Sequence, residues 1–217
     1  MNTLLITVVL LSQGYSLGQY RLPTHKMQVY ENCLRVPFLI KGPGIVPGSQ
    51  YHFLASMVDL TPTFVELAGT PAPTDTDGRS FAPFLLSHLP PSPKPWRTLH
   101  LTTYQSINTR ECLWNANGTN PCGRHPVDAA TNTHTSMRVI NETHNLLYAE
   151  FTDVKDPAGW NFELSSITFF ALFDLKEDPF QLRNIFRSTP TAIQQQLHAQ
   201  LRAANTCRGQ VGPRECP

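Results

Sequence analysis

The stretch Val36-Pro37-Phe38-Leu39-Ile40-Lys41, followed at once by Gly42-Pro43-Gly44, decides the predicted fold. The apolar run predicts a short β-strand, and the glycines and proline behind it end that strand. A helix signal follows at Thr61-Pro62-Thr63, where Thr61 suits the N-cap and Pro62 suits the first helical position. Strand, turn and helix in this order indicate an α/β layer.

The helix predicted from Thr61 ends at Gly69, which fits the C′ position. Its predicted apolar face consists of Phe64, Leu67 and Ala68. Asp59 lies just ahead of the positively polarised helix start. We therefore interpret Asp59 as a helix-start residue and not as a catalytic acid.

Leu4–Leu11 is an unbroken apolar run with two interpretations. It is too short to span a bilayer. It could be the core of a signal peptide, because Ser12-Gln13-Gly14 offers small residues for cleavage, although no basic side chain precedes it. The alternative is a buried strand that lies parallel to Val36–Lys41, which predicts Gln13 and Lys26 at the same end of one sheet.

A proline cluster at residues 90–95 predicts an extended linker, since proline cannot propagate a helix or a central strand. The predicted division is an α/β domain at 1–89, a linker at 90–96 and a small α+β domain at 97–217. Three strands of the second domain are predicted at Ser136–Ile140, Asn145–Phe151 and Thr168–Leu175. Polar turns join them, so we expect an antiparallel sheet. One helix follows, with a stripe of Ile193, Leu197, Leu201 and Ala204.

Charge and cysteine content narrow the class of protein. The formal net charge is +1 with scattered Lys and Arg, so electrostatics do not favour nucleic acid as a partner, and no transmembrane segment is predicted. Two cysteine pairs flank short loops, which predicts disulfides Cys112–Cys122 and Cys207–Cys216 and leaves Cys33 as a small buried residue. Sequons at Asn117 and Asn141 predict glycosylation. Together these features predict the secretory pathway, with a lysosomal or extracellular destination.

A set of sequence blocks resembles the sulfatase family. The first block, Gly14–Lys26 (GYSLGQYRLPTHK), is similar to the segment that follows the family's metal-binding turn. Further blocks follow in the family's order: Tyr30-Glu31, Arg35-Val36-Pro37, Lys41–Ile45, Val58–Thr63, Leu67-Ala68-Gly69 and Asp77–Ser80. Three blocks near the end of the chain resemble the family's C-terminal domain: Phe173-Asp174-Leu175, Asp178–Gln181 and Asn184. Tyr148–Phe151 and the Cys207/Cys216 tail look most like N-acetylglucosamine-6-sulfatases.

The resemblance implies part of an alkaline-phosphatase-like α/β domain, followed by a small domain with an antiparallel sheet and one helix. It also implies hydrolysis of sulfate monoesters on glycosaminoglycan sugars, with calcium as the metal. In that chemistry a cysteine becomes formylglycine, whose hydrate attacks sulfur. Calcium neutralises charge on the sulfate oxygens, and cationic side chains hold the sulfate.

Lys26 matches the family's active-site lysine and is the predicted sulfate contact. The chain departs from the family elsewhere, because none of its cysteines stands in the formylglycine motif Cys-x-Pro-x-Arg. At the metal-binding turn Ser12 and Gln13 replace Asp and Asn or His, which leaves Gln13 as a degenerate ligand with one carbonyl oxygen. We therefore expect this chain alone to bind no calcium. Trp96 and Trp114 are interpreted as packing residues.

Two hypotheses of function follow from the resemblance. In the first, the chain belongs to a sulfuric ester hydrolase and is inactive alone, because its sequence contains no nucleophile. In the second, it is a non-catalytic module that binds sulfated glycan. A weaker third hypothesis is a product without function, since an incomplete sheet would leave an open edge and an uncovered core.

Overall fold

The computed structural model describes residues 6–11, 13–22, 26–89, 95–106, 130–152, 167–209 and 216. The strands are β1 Thr7–Leu10, β2 Phe38–Lys41, β3 Leu99–Tyr104, β4 Thr133–Ile140, β5 Asn145–Thr152 and β6 Ile167–Asp174. The helices are α1 Glu31–Leu34, α2 Leu60–Leu67, α3 Ala82–Leu85 and α4 Thr191–Asn205. Across these ranges no helix combines the length and hydropathy needed to cross a membrane.

The first sheet consists of β1 and β2, which pair antiparallel with Val9 opposite Leu39. The predicted parallel pairing is therefore wrong, and so is the prediction that the strand is buried. Ile6 and Ile40 pack against the N-terminal core, whereas Val9 and Leu39 are exposed. A continuous apolar run does not specify strand direction, and a sheet covered on one face buries alternate residues.

The N-terminal core gathers around Phe81. Its buried members are Leu67, Phe81, Ala82, Leu85 and Leu86. The Trp96 ring packs 5.1 Å from Phe53 and 5.3 Å from Phe84, between ring centroids, which confirms its packing role. Trp114 lies outside the described residues.

The start of α2 lies earlier than predicted. A 3-10 turn at Met57–Asp59 precedes α2, and Ser56 forms a reciprocal capping box with Asp59. The prediction that Thr61 is the N-cap is therefore wrong, whereas Asp59 is confirmed as a helix-start residue because its Oδ2 accepts from the Ser56 amide at 2.8 Å. Of the predicted apolar face only Leu67 is buried, whereas Phe64 and Ala68 are exposed. Thr63 is buried instead, because its hydroxyl donates to the Asp59 carbonyl oxygen and accepts from the Phe81 amide.

The second sheet is an antiparallel meander in the order β3-β4-β5-β6, as the polar turns predicted. Strand β3 was not predicted from the sequence. Helix α4 covers one face of the sheet with Leu197, Leu201 and Ala204, while Ile193, the first residue of the predicted stripe, is exposed. The opposite face packs against Val29, Tyr30 and Leu34. Contacts therefore cross the predicted division at residues 90–96.

The chain terminus is tied to the N-terminal part of the molecule. The disulfide between Cys207 and Cys216 is present as predicted, while Cys33 is a buried free cysteine. Asp77 Oδ1 accepts from the Gly209 amide at 2.7 Å. Cys112 and Cys122 lie outside the described residues. The bridge thus closes a short loop next to the Asp77 turn.

We expect Cys207→Ser to lower the free energy of unfolding by about 2–3 kcal/mol, because the open loop gains conformational entropy in the unfolded chain. Denaturant unfolding under oxidising conditions measures this loss. Cys33→Ala is the control, since it removes a thiol without opening a bridge, and it should cost less. Equal midpoints for Cys207→Ser and the unsubstituted chain would contradict the prediction.

Candidate functional site

Lys26 has an exposed side chain on a backbone that is anchored to the second sheet. The carbonyl oxygen of its neighbour Met27 accepts from Asn132 Nδ2 at 2.7 Å. The Met27 sulfur accepts a hydrogen bond from the hydroxyl of Tyr104, at the end of β3. These contacts hold the backbone next to Lys26 at one end of the second sheet, and the Lys26 side chain is exposed to solvent.

His134 stands behind this anchor and is fully buried. Its Nδ1–H donates to the Asn132 carbonyl oxygen at 2.6 Å. Burial lowers the pKa of His134 to about 4, and the hydrogen bond to Asn132 opposes that effect only in part. The imidazole is therefore neutral at physiological pH. It supports the Asn132–Met27 contact and adds no positive charge near Lys26.

The turn that holds Gln13 packs directly against α1. The Gly14 amide donates to the Cys33 carbonyl oxygen at 2.9 Å, and Ser16 Oγ lies 3.3 Å from Cys33 Sγ. A Cβ atom at Gly14 would stand 1.8 Å from the Asn32 carbonyl oxygen, so only glycine permits this approach. Gln13 itself is exposed. That Gln13 and Lys26 share one end of a sheet stays a prediction.

Backbone strain marks the segment between Gln13 and Lys26. Tyr20 and Arg21 have φ angles of 56° and 59°, in the left-handed region that non-glycine residues rarely adopt. Each costs roughly 1–2 kcal/mol. The Tyr20 ring stacks on Tyr30 with centroids 4.5 Å apart. Strain of this kind persists where the surrounding structure enforces it, commonly at functional sites.

Residues distant in sequence fix the position of α1. Glu31 forms an ion pair with Arg138 of β4 at 2.9 Å. The Glu31 amide donates to Gln181 Oε1 at 2.7 Å. The sequence blocks contained Glu31 and Gln181 but did not indicate that they meet, and Arg138 was missed entirely. These contacts attach the Lys26 segment to the C-terminal sheet.

The residues around Gln13 do not fit a calcium ion. Calcium takes six to eight oxygen ligands. Gln13 offers one side-chain oxygen, and the described part of the chain contains no group of three His, Cys, Asp or Glu side chains that could hold a metal.

Of the two predicted glycosylation sites, Asn141 and Asn117, the structure describes Asn141. Asn141 is exposed in the turn between β4 and β5, where its Oδ1 accepts from the amides of Thr143 and His144. Asn117 lies outside the described residues. Glycosylation at both positions stays a prediction.

The sequence matches known proteins across nearly its whole length. Residues 18–119 match the family described as N-sulphoglucosamine sulphohydrolase, C-terminal. The chain is 32% identical to bovine and 30% identical to human N-acetylglucosamine-6-sulfatase over 203 residues. These matches cover 90% of the chain but only 34% of either relative, so the chain spans about a third of the length of the curated relatives it matches.

Solved structures support the same assignment of fold. One, determined in complex with its substrate D-glucosamine-2-N,6-O-disulfate, has a TM-score of 0.63 and 25% identity, and the match covers 91% of this chain and 33% of that one. A second comes from a study of glycosaminoglycan metabolism in Bacteroides thetaiotaomicron and has a TM-score of 0.61 at 19% identity. The match covers 90% of this chain and 35% of that one. At this identity it is evidence of the fold alone.

Proposed function

We propose that this chain, which belongs to the sulfatase family, carries the sulfate-contacting lysine of an enzyme that hydrolyses sulfate esters on N-acetylglucosamine units of glycosaminoglycans. The observation that carries the proposal is the position of Lys26. It matches the family's active-site lysine in sequence, and its backbone is held to the second sheet through Met27.

A lysine suits this role because its ammonium is a compact point charge with three donors. A sulfate ester offers several acceptor oxygens, and a cation near them stabilises negative charge as the ester bond breaks. His134 supports the backbone next to Lys26 through Asn132. Its imidazole is neutral, so it does not attract the anion itself. Lys26 alone supplies no nucleophile, and no cysteine of the chain stands in Cys-x-Pro-x-Arg.

The missing motif favours a second candidate function for the chain by itself, which is non-catalytic binding of sulfated glycan. Recognition of sulfate needs a cation and a fixed backbone, and neither depends on the nucleophile.

We also propose that the protein enters the secretory pathway, with a lysosomal or extracellular destination. The Cys207–Cys216 disulfide supports this location, because such bridges persist in oxidising compartments.

We expect the purified chain to hydrolyse no N-acetylglucosamine 6-sulfate, with or without added calcium, because it has no residue to form the covalent intermediate. We expect it to bind that sugar, and Lys26→Ala to weaken the binding about tenfold through the loss of a charge-assisted hydrogen bond. Calorimetry and sulfate release measure the two quantities.

Lys41→Ala is the matched control, since Lys41 is an exposed lysine on the first sheet. It should leave the affinity unchanged. Equal affinities for the Lys26→Ala and Lys41→Ala proteins would refute the role of Lys26. Sulfate release above the Lys26→Ala background would refute the inactivity of the chain.

A further inference from the structure

Two residues of the second sheet region hold the backbone next to Lys26, although they lie far from it in sequence. Asn132 directly precedes β4, and its Nδ2 donates to the Met27 carbonyl oxygen at 2.7 Å. Tyr104 is the last residue of β3, and its hydroxyl donates to the Met27 sulfur. The two contacts span 105 and 77 positions of the chain. Both anchors therefore come from beyond the proline cluster at residues 90–95, whereas Lys26 comes from before it.

The sheet fixes the places of both anchors. Tyr104 pairs with His134 across β3 and β4, so Tyr104 and Asn132 lie at the same end of this strand pair. The His134 ring lies 5.5 Å from the Tyr104 ring and 5.0 Å from the Phe151 ring, between centroids. The Nδ1–H of the same imidazole donates to the Asn132 carbonyl oxygen. Residues that packing and hydrogen bonds hold in this way can position a neighbouring segment before a ligand binds.

Met27 is the point where the Lys26 segment passes from solvent to the sheet. Lys26 is exposed and Met27 is half-buried. Two residues further on, Val29 is 2% exposed and packs with Leu147 and Ala149 on the face of the sheet that α4 does not cover. The contacts of Met27 therefore set the place from which the Lys26 side chain extends.

The place of its backbone matters for a lysine that binds an anion. The ammonium is a point charge on a flexible hydrocarbon stem, so the stem alone does not fix its position. A ligand that meets an unanchored lysine must order the backbone as well as the side chain, and this ordering lowers the affinity. When only a fraction of the molecules holds the binding conformation, the apparent affinity falls by that fraction. Contacts that anchor Met27 keep the fraction high.

We propose that Asn132 and Tyr104 are positioning residues for Lys26, so that recognition of the sulfated sugar depends on the C-terminal sheet. Neither side chain touches the sulfate. Asn132 acts through the Met27 carbonyl group, and Tyr104 acts through the Met27 sulfur. The inference rests on the proposed function, because it concerns the same sulfate contact.

The test measures the affinity of the purified chain for N-acetylglucosamine 6-sulfate by calorimetry. Asn132→Ala removes the amide donor and keeps the backbone carbonyl that accepts from His134. It should weaken binding about fivefold, less than the loss expected for Lys26→Ala. Asn132→Gln keeps a donor amide and should recover part of this loss. Tyr104→Phe removes the hydroxyl, should weaken binding about twofold, and decides the question if Asn132→Ala does not fold.

The decisive readout is the same substitution in a Lys26→Ala background. A residue that acts through Lys26 has no ammonium to position there, so Asn132→Ala should cause no further loss of affinity. A purely structural role would weaken binding by the same factor in both backgrounds, and that result overturns the proposal.

Asn184→Ala is the matched control. Its side chain also makes hydrogen bonds to the backbone, but to Phe170, Leu172 and Phe186 and not to the Lys26 segment. This variant should be less stable and should keep the affinity of the unsubstituted chain. A loss of affinity as large as that of Asn132→Ala would contradict the positioning role.

Failure of the proposed function gives a different result. If the unsubstituted chain does not bind the sulfated sugar, or if Lys26→Ala binds it equally well, the sulfate contact is wrong and the positioning role falls with it. If Lys26→Ala weakens binding while Asn132→Ala and Tyr104→Phe do not, the positioning role alone is wrong.

Discussion

Asp59→Ala should lower the free energy of unfolding by about 3–5 kcal/mol, the largest effect expected for a single substitution in this chain. Asp59 is fully buried, and its Oδ1 lies 2.8 Å from Nη2 of Arg97, a residue that is also buried. Its two oxygens also accept from the amides of Ser56 and Arg79. The substitution leaves a guanidinium without its counter-charge and two amides without acceptors.

A loss of this size is a large part of the roughly 5–15 kcal/mol that holds a typical domain together. Denaturant unfolding should therefore show a low midpoint or a chain already partly unfolded. Asp75→Ala, at an exposed position nearby, is the control and should change little. Adding Arg97→Leu to Asp59→Ala should recover part of the loss, because the unpaired charge disappears. A change under about 1 kcal/mol for Asp59→Ala would contradict the buried ion pair.

His134 should make the protein lose about 3 kcal/mol of stability as the pH falls from about 6.5 to about 4. Burial lowers the pKa of His134 to about 4 in the folded chain, whereas an unfolded histidine titrates near 6.5. Between these values the unfolded chain binds more protons, so the free energy of unfolding rises with pH. The contribution of His134 is complete above about pH 6.5 and is lost at about pH 4.

The substitution His134→Asn isolates this effect, because an asparagine amide can donate to the Asn132 carbonyl oxygen and does not titrate. The His134→Asn protein should show a flatter pH dependence over this range, while other histidines and the carboxylates remain in both proteins. Denaturant midpoints at several pH values give the two slopes. Parallel slopes would show that His134 is not the titrating group.

The C-terminal sheet and its helix could be predicted because their patterns are local. The strands β4, β5 and β6 alternate with polar turns, and α4 repeats apolar residues at helical spacing. Strand β3 was missed, since it follows the linker without a turn signal of its own. It acquires strand structure by pairing with β4, with Leu101 opposite Met137.

The candidate site was only partly predictable. The match to the family pointed to Lys26 by its neighbours in sequence, and the Gly14 turn was evident as a block. The partners that place these residues lie far away along the chain: Asn132 for the Met27 carbonyl and Gln181 for the Glu31 amide. No local pattern encodes such pairs.

The amino-acid sequence by itself determined the strands β4, β5 and β6 with helix α4, the closure of the Cys207–Cys216 loop, and that these residues contain no Cys-x-Pro-x-Arg motif of the sulfatase type. Those properties depend on neighbouring residues and on residue chemistry. The tertiary structure alone decided the antiparallel direction of β1 and β2, the buried Asp59–Arg97 pair and the contact between Asn132 and Met27. These depend on which surfaces exclude water together, and packing across long sequence separations sets that arrangement.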